Sequence, residues 1–361
     1  MLDLKAGDWP RRVLIIRLGA IGDIVMASGL LSSLHKAYPG VRISWLVEPA
    51  VAGLLQETPD IEDVIVWPKE KWKELLRRGR CYALLREVLA FRQALHACGY
   101  DWTIDVQGLL KSAVLARLSG ARKCYGLASK EKADWLMDAV VERPVSSMMS
   151  SEYRAMAAFL GCDTRHFRLN LVATKPTQAK LEQRLHALTG GAEFIVFCPY
   201  TTRPQKHWFE SHWLSLAELL YQRFGLQLLV LGGPLDEESG ERLSERHPAL
   251  VNLAGRTSLL ESSEVIARAK LVVGVDTGIT HMGIARCVPT LALFGSTRPY
   301  SETPFARARV LSQRLSCAPC GRKPTCAGRF DCMRELTPEQ VFVAAESLVG
   351  KDEVLHENFA Y

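Results

Sequence analysis

Apolar residues in this chain fall into short continuous runs separated by amphipathic stretches, and the alternation repeats almost from end to end. Runs at 13–17, 41–47, 64–67 and 102–106 have the length and composition of strands, whereas 24–37, 82–96 and 109–118 recur at helical spacing. After a pause around 173–176 a helix through 181–188 restarts the pattern. Strands at 194–198, 226–231, 271–275 and 290–294 follow, separated by helical stretches, and a last helix covers 338–349. Strands that are apolar throughout are buried on both faces, and the helices between them are the crossovers of a parallel sheet. The pattern predicts an α/β protein of two Rossmann-like, doubly wound domains, 1–172 and 173–337, with a linker near 170–178. The C-terminal helical segment 338–361 is free to pack back on the first domain. Ligands in such sheets bind at the carboxyl ends of strands. Two domains of this kind imply a cleft with an acceptor on the first and a donor on the second.

Length agrees with this division, since 361 residues exceed what one core usually holds. Apolar content of 48% and charged content of 23% are those of an ordinary globular chain. No run of 18 apolar residues exists, which argues against a membrane-spanning helix. Arg17 cuts the first apolar run short, so 13–16 reads as a first strand and not as a secretory leader. A net charge of +6 does not by itself call for nucleic acid, and none is expected as a partner. Positive charge nevertheless clusters: Lys69, Lys71, Lys73, Arg77, Arg78 and Arg80 are opposed locally only by Glu70 and Glu74, with Trp67 and Trp72 among them. A solvated face is the simpler reading. The tryptophans favour a phosphorylated, amphiphilic acceptor or an anionic membrane surface.

Candidate chemistry sits where strands give way to helices. Thr201-Thr202-Arg203-Pro204-Gln205-Lys206-His207-Trp208 follows the strand at 194–198, and Val275-Asp276-Thr277-Gly278-Ile279-Thr280-His281 closes the strand at 271–275. The first block offers hydroxyls and a point-charge lysine. The second offers backbone N–H groups at a helix start, so the two together suit a diphosphate held without a metal. Gly19-Ala20-Ile21-Gly22-Asp23 turns tightly after the first strand. Asp23 is read either as a first-turn carboxylate complementing the helix dipole or as a general base toward an acceptor hydroxyl. Its glycine spacing does not match a dinucleotide fingerprint. Gly232-Gly233-Pro234 ends another strand, and Asp236 beyond it suits ribose hydroxyls or a helix first turn. Cys317, Cys320, Cys326 and Cys332 fall within sixteen residues at metal-ligand spacing, suiting a structural zinc or iron clip. The other six cysteines are scattered and read as reduced core thiols.

Several of these blocks resemble glycosyltransferase family 9, the ADP-heptose:lipopolysaccharide heptosyltransferases, and the likeness runs from Arg12 to about Val349. It rests on Gly22-Asp23, Trp45-Leu46-Val47-Glu48, the run 104–113 from Ile104-Asp105-Val106-Gln107-Gly108 to Lys111-Ser112-Ala113, and the two donor blocks above. Within the family the motifs are most similar to the heptosyltransferase I type, which adds the first heptose to Kdo of the inner core. The resemblance implies a GT-B fold, inverting transfer with no cofactor required for catalysis, and an enzyme at the cytoplasmic face of the inner membrane of a Gram-negative bacterium. It implies Asp23 as base on the Kdo hydroxyl of a lipid A-Kdo acceptor. Lys206, Thr201 and Thr202 would hold the ADP-heptose diphosphate and sugar, Asp276 the heptose hydroxyls, and Thr277, Gly278 and His281 the phosphate. Asp236 stands where the family places a ribose-binding glutamate. Gly22, Lys69, Lys71, Arg77, Arg78, Gln107 and Lys111 are the expected acceptor contacts.

The cysteine cluster departs from the enteric heptosyltransferase I type and is similar to other family members, some of which bind iron. That leaves a different acceptor open, either the second core heptose step or an autotransporter protein. A non-catalytic nucleotide-sugar-binding protein is the alternative of another class, against which the joint presence of Asp23 and Lys206 counts.

Overall fold

The computed structural model describes residues 9–169 and 174–349, which form two compact units. Residues 9–146 and 150–169 make the first, and 147–149 with 174–349 make the second. The expected domain boundary and part of the expected linker lie outside the described residues. The short segment 147–149 joins the second unit: Met149 donates its N–H to the Glu302 carbonyl at 2.8 Å, and Ser301 donates to that of Ser147.

The first unit is a six-stranded parallel sheet of β1 (Arg12–Ile16), β2 (Arg42–Val47), β3 (Asp63–Val66), β4 (Trp102–Asp105), β5 (Lys123–Leu127) and β6 (Ala139–Val141), in the order β3-β2-β1-β4-β5-β6. The second contains β7 (Phe194–Cys198), β8 (Gln227–Val230), β9 (Leu250–Asn252), β10 (Leu271–Val275), β11 (Thr290–Leu293) and β12 (Ala308–Leu311), ordered β12-β11-β10-β7-β8-β9. Counted from each unit's own first strand, the two orders are the same. Each sheet therefore reverses its winding once, between β1 and β4 in the first and between β7 and β10 in the second. Ligands collect at the carboxyl ends of the strands flanking such a reversal.

Burial explains why the central strands were legible. Val13 to Ile16, all of β7 and all of β10 are buried, as a strand covered on both faces must be. The strands without a sequence signal are β5, β6, β9 and β12. Three of them are short edge strands, and β5 is interrupted by Gly126, which backs onto the Met137 side chain. The helix expected at 24–37 is two helices, Ile21–Ala27 and Gly29–Ala37, parted at Ser28, whose hydroxyl donates to the Val25 carbonyl at 2.7 Å. Gly29 admits the Phe167 ring, which would lie 2.4 Å from a Cβ at that position.

The helix Pro338–Val349 packs against the helix Glu210–Phe224, β10 and β11, and its Val341, Ala345, Leu348 and Val349 belong to the second unit's core. Its apolar face is buried within that unit. The remainder of 338–361 lies outside the described residues. Among the described residues no helix is long and apolar enough to cross a membrane.

Candidate active site

At the reversal of the first sheet, Ile16 pairs with Asp105 in register, and the loops that follow them are tied together. Asp105 is buried, and its carboxylate accepts from the N–H groups of Gln107 and Gly108 and from the Ser112 hydroxyl. Burial pushes this carboxyl up, and those three donors only partly offset it. The Gln107 side-chain oxygen accepts the Leu18 N–H at 2.9 Å, and its backbone carbonyl accepts from Arg143 at 2.9 Å. Gln107 thus fixes the loop that leads to Asp23.

Arg17 directly follows β1, with its guanidinium ion-paired to Asp23. The arginine side chain is 11% exposed and the aspartate 34%, so a buried cation backs a carboxylate that solvent reaches. Burial alone would lower the Arg17 pKa, but Tyr153, Asp23 and Glu152 outweigh it and raise it. Gly22 is buried beside Asp23 in the helix Ile21–Ala27. The result is a fixed, accessible carboxylate that can take a proton from a bound hydroxyl.

The carboxyl end of β2 adds a second cluster. Glu48 binds the Lys69 ammonium at 2.9 Å and that of Lys111 at 3.3 Å, and both ammoniums lie about 6 Å from the Trp67 ring centre. Burial pushes the Glu48 carboxyl up, but the two lysines outweigh it and hold it below the ordinary range. Two cations against one carboxylate leave a positive charge beside an aromatic face, which suits a phosphorylated ligand. The other expected acceptor cations are engaged elsewhere: Lys71 with Glu87 at 2.6 Å, and Arg77 and Arg78 both with Glu74.

The second sheet's reversal gathers the donor candidates. Lys206 Nζ lies 2.6 Å from Asp276 Oδ2, His281 Nε2 lies 3.4 Å from Oδ1, and the Thr297 hydroxyl donates to Oδ2. His281 Nδ1 is 2.7 Å from the hydroxyl of Tyr300, which is buried. Burial pushes the Asp276 carboxyl up, yet His281 and Lys206 outweigh it and hold it well below the ordinary carboxylate range. Thr277 caps the helix Gly278–Ala285 in extended conformation, and its side chain makes no capping bond. The first-turn N–H groups from Gly278 onward have no acceptor within their helix. A lysine from the loop after β7 beside a helix N-terminus after β10 is an arrangement that suits an anion.

Thr201 and Thr202 lie in the loop before the turn Pro204–Lys206, with Thr202 exposed and the Thr201 carbonyl bonded to His207 Nε2 at 2.7 Å. Asp236 accepts the Gly233 N–H at 2.8 Å, which uses one carboxylate oxygen to close the glycine turn. Arg17, Glu48, Thr297 and Tyr300 are the site residues that sequence reasoning did not assign. The first had a visible signal, a charge ending an apolar strand.

The zinc or iron expected at the cysteine cluster finds no support in the arrangement of its side chains. Cys317, Cys320, Cys326 and Cys332 are free and line one small pocket with Gln205 and Ser296. Among the described residues, however, no group of three or more cysteine, histidine or acidic side chains is arranged to hold a metal ion. Instead the loop buttresses the Lys206 turn. Gln205 donates to the Gly321 carbonyl at 3.4 Å, Gly321 donates to that of Ser296, and the Trp208 indole donates to Leu336 at 2.9 Å.

Comparison with known proteins supplies the context. The sequence profile of glycosyltransferase family 9 (heptosyltransferase) matches residues 88–330, more than half of the chain. Lipopolysaccharide heptosyltransferase 1 of Pseudomonas aeruginosa is 32% identical over 368 residues, spanning 95% of this chain and 99% of that one. The protein of the same name from Escherichia coli K12 is 33% identical over 297 residues, 80% of this chain and 89% of its own. Among solved structures, E. coli heptosyltransferase WaaC with ADP-2-deoxy-2-fluoro heptose superposes with a TM-score of 0.71 at 27% identity, covering 93% of this chain and 99% of that one.

Proposed function

The chain belongs to glycosyltransferase family 9 and has its GT-B fold, and we propose that it transfers heptose from ADP-L-glycero-D-manno-heptose to Kdo of the lipopolysaccharide inner core. The observation that carries this reading is the grouping of Lys206, Asp276, His281 and the N-terminus of the helix Gly278–Ala285 at the reversal of the second sheet. It supports a site for a sugar diphosphate. The names of the relatives support heptose as the sugar and lipopolysaccharide as the destination.

In this reading the acceptor hydroxyl attacks the anomeric carbon and its proton passes to the Asp23 carboxylate. The bond from that carbon to the β-phosphate oxygen breaks, and its electron pair leaves with ADP. Attack opposite the leaving group inverts the configuration. Negative charge grows on the diphosphate as the bond breaks, and Lys206 and the helix N–H groups supply the countercharge there. Arg17 keeps the Asp23 carboxylate aimed, which matters because small misplacements of a reacting group are costly in rate. Lys69 and Lys111 take the phosphates of a lipid A-Kdo acceptor. The enzyme works peripherally at the cytoplasmic face of the inner membrane of a Gram-negative bacterium. The cysteine loop enters as packing against the Lys206 turn, through Gln205 and Ser296.

Donor competition tests the sugar-nucleotide assignment. ADP-heptose is expected to be consumed in preference to ADP-glucose and UDP-sugars, and equal use of a UDP-sugar would overturn the assignment.

A further inference from the structure

The helices Lys69–Arg77 and Cys81–Ala97 form a hairpin whose inner side is occupied: Trp72 and Phe91 meet edge to face at 5.5 Å and pack with Leu95 on the first unit's core. Its outer side is unusual. Tyr82, Leu85 and Leu89 are 77%, 54% and 48% exposed, and their spacing places them on one face of the helix. Leu76, 62% exposed, lies just before the turn Arg78-Gly79-Arg80. Arg86 and Arg92 fall on the same face, one turn from Tyr82 and Leu89 respectively.

Charge separates this hairpin from the rest of the chain. Residues 69–97 hold eight lysines and arginines against three glutamates, a balance of +5, where the whole chain carries +6. The glutamates are all engaged with neighbours: Glu70 with Lys73, Glu74 with Arg77 and Arg78, Glu87 with Lys71. Arg80, Arg86 and Arg92 are exposed and take part in no ion pair among the described residues. Nearly all the excess positive charge therefore lies beside an exposed apolar stripe. Basic side chains alone would fit any polyanion, but a Tyr-Leu-Leu stripe among them fits a surface that is anionic outside and apolar beneath.

We propose that the outer face of this hairpin docks on an anionic lipid bilayer, with Tyr82, Leu85 and Leu89 seated at the headgroup boundary and Arg80, Arg86 and Arg92 on lipid phosphates. The proposal rests on the reading of a lipid-borne acceptor and says how the protein is held where that acceptor lies.

The test uses the full chain and sedimentation with vesicles of phosphatidylcholine alone or mixed equally with phosphatidylglycerol. Binding to the mixed vesicles, little to the neutral ones, and weakening by salt are expected. A triple Tyr82→Ser, Leu85→Ser, Leu89→Ser variant and a triple Arg80→Glu, Arg86→Glu, Arg92→Glu variant should each bind at least ~10-fold more weakly. All six side chains are exposed, so both variants should keep the wild-type melting temperature. Both should also transfer sugar to a lipid-free, water-soluble acceptor at the wild-type rate, which separates failure of docking from failure of the proposed activity. Vesicle binding that is absent, or unchanged by both variants, overturns the proposal. So does concentration-dependent self-association that the serine variant abolishes, since the stripe would then serve a second copy of the chain.

Discussion

The Lys206 ammonium lies 2.6 Å from the Asp276 carboxylate, joining the loop after β7 to the loop after β10 where the second sheet reverses its winding. The lysine side chain is 16% exposed and the aspartate 9%. The same aspartate also meets His281 and Thr297, so it keeps partners apart from the lysine. The pair holds the two loops together.

Lys206→Ala removes the point charge and should lower kcat by about 100- to 1,000-fold, the range seen when one donor to a developing anion is lost. Lys206→Arg should recover part of it. The check is kcat and KM for ADP-heptose in both variants, with a melting curve showing that the alanine variant folds.

The same pair sets a stability window. An unfolded aspartate titrates near pH 4, whereas the folded Asp276 binds its proton only at lower pH because His281 and Lys206 outweigh the effect of burial. A depressed folded pKa contributes stability that is fully present above the unfolded value and is lost as pH falls through the folded one. The wild type should therefore melt above Asp276→Asn near pH 5, and the gap should begin to narrow below about pH 4 and close only as pH falls through the lower folded value. A gap that widened in acid would contradict the sign of this linkage.

Arg17→Ala should act on the chemical step and not on donor binding, since the guanidinium pairs with Asp23. A drop in kcat of about 10- to 100-fold with little change in KM for ADP-heptose is expected from a misplaced reacting group. Arg17→Lys should restore much of the loss. A change confined to KM would place Arg17 elsewhere in the mechanism.

Gly274 in β10 has no room for a side chain. A Cβ there would lie 2.1 Å from the Thr280 hydroxyl oxygen and 2.7 Å from Cys198 Cβ. Gly274→Ala should push the helix Gly278–Ala285 off the sheet and cost about 1–3 kcal/mol, as overpacking does, read as a lower Tm that ADP partly restores.

The fold was legible wherever burial leaves a continuous apolar run. β1, β7 and β10 stand out for that reason, and they carry the loops of Asp23, Lys206 and Asp276. Edge strands such as β6 and β9 are too short to leave such a run. The site was half legible for a related reason. Lysines and acids at strand ends can be read from spacing, but the pairing that gives each its job joins residues far apart in the chain. Thr297 reaches Asp276 only because β11 lies beside β10, and Gln107 reaches Leu18 only because β4 lies beside β1. The cysteine spacing suggested a metal clip; the four thiols line one small pocket with Gln205, the residue before Lys206.

The most direct test of the account is transfer from ADP-heptose to Kdo2-lipid A by the wild type and by Asp23→Ala. The account predicts turnover in the wild type and a loss of at least ~100-fold in the variant, a typical general-base contribution. Failure of the wild type to use ADP-heptose with this acceptor, or full activity in the variant, would contradict it.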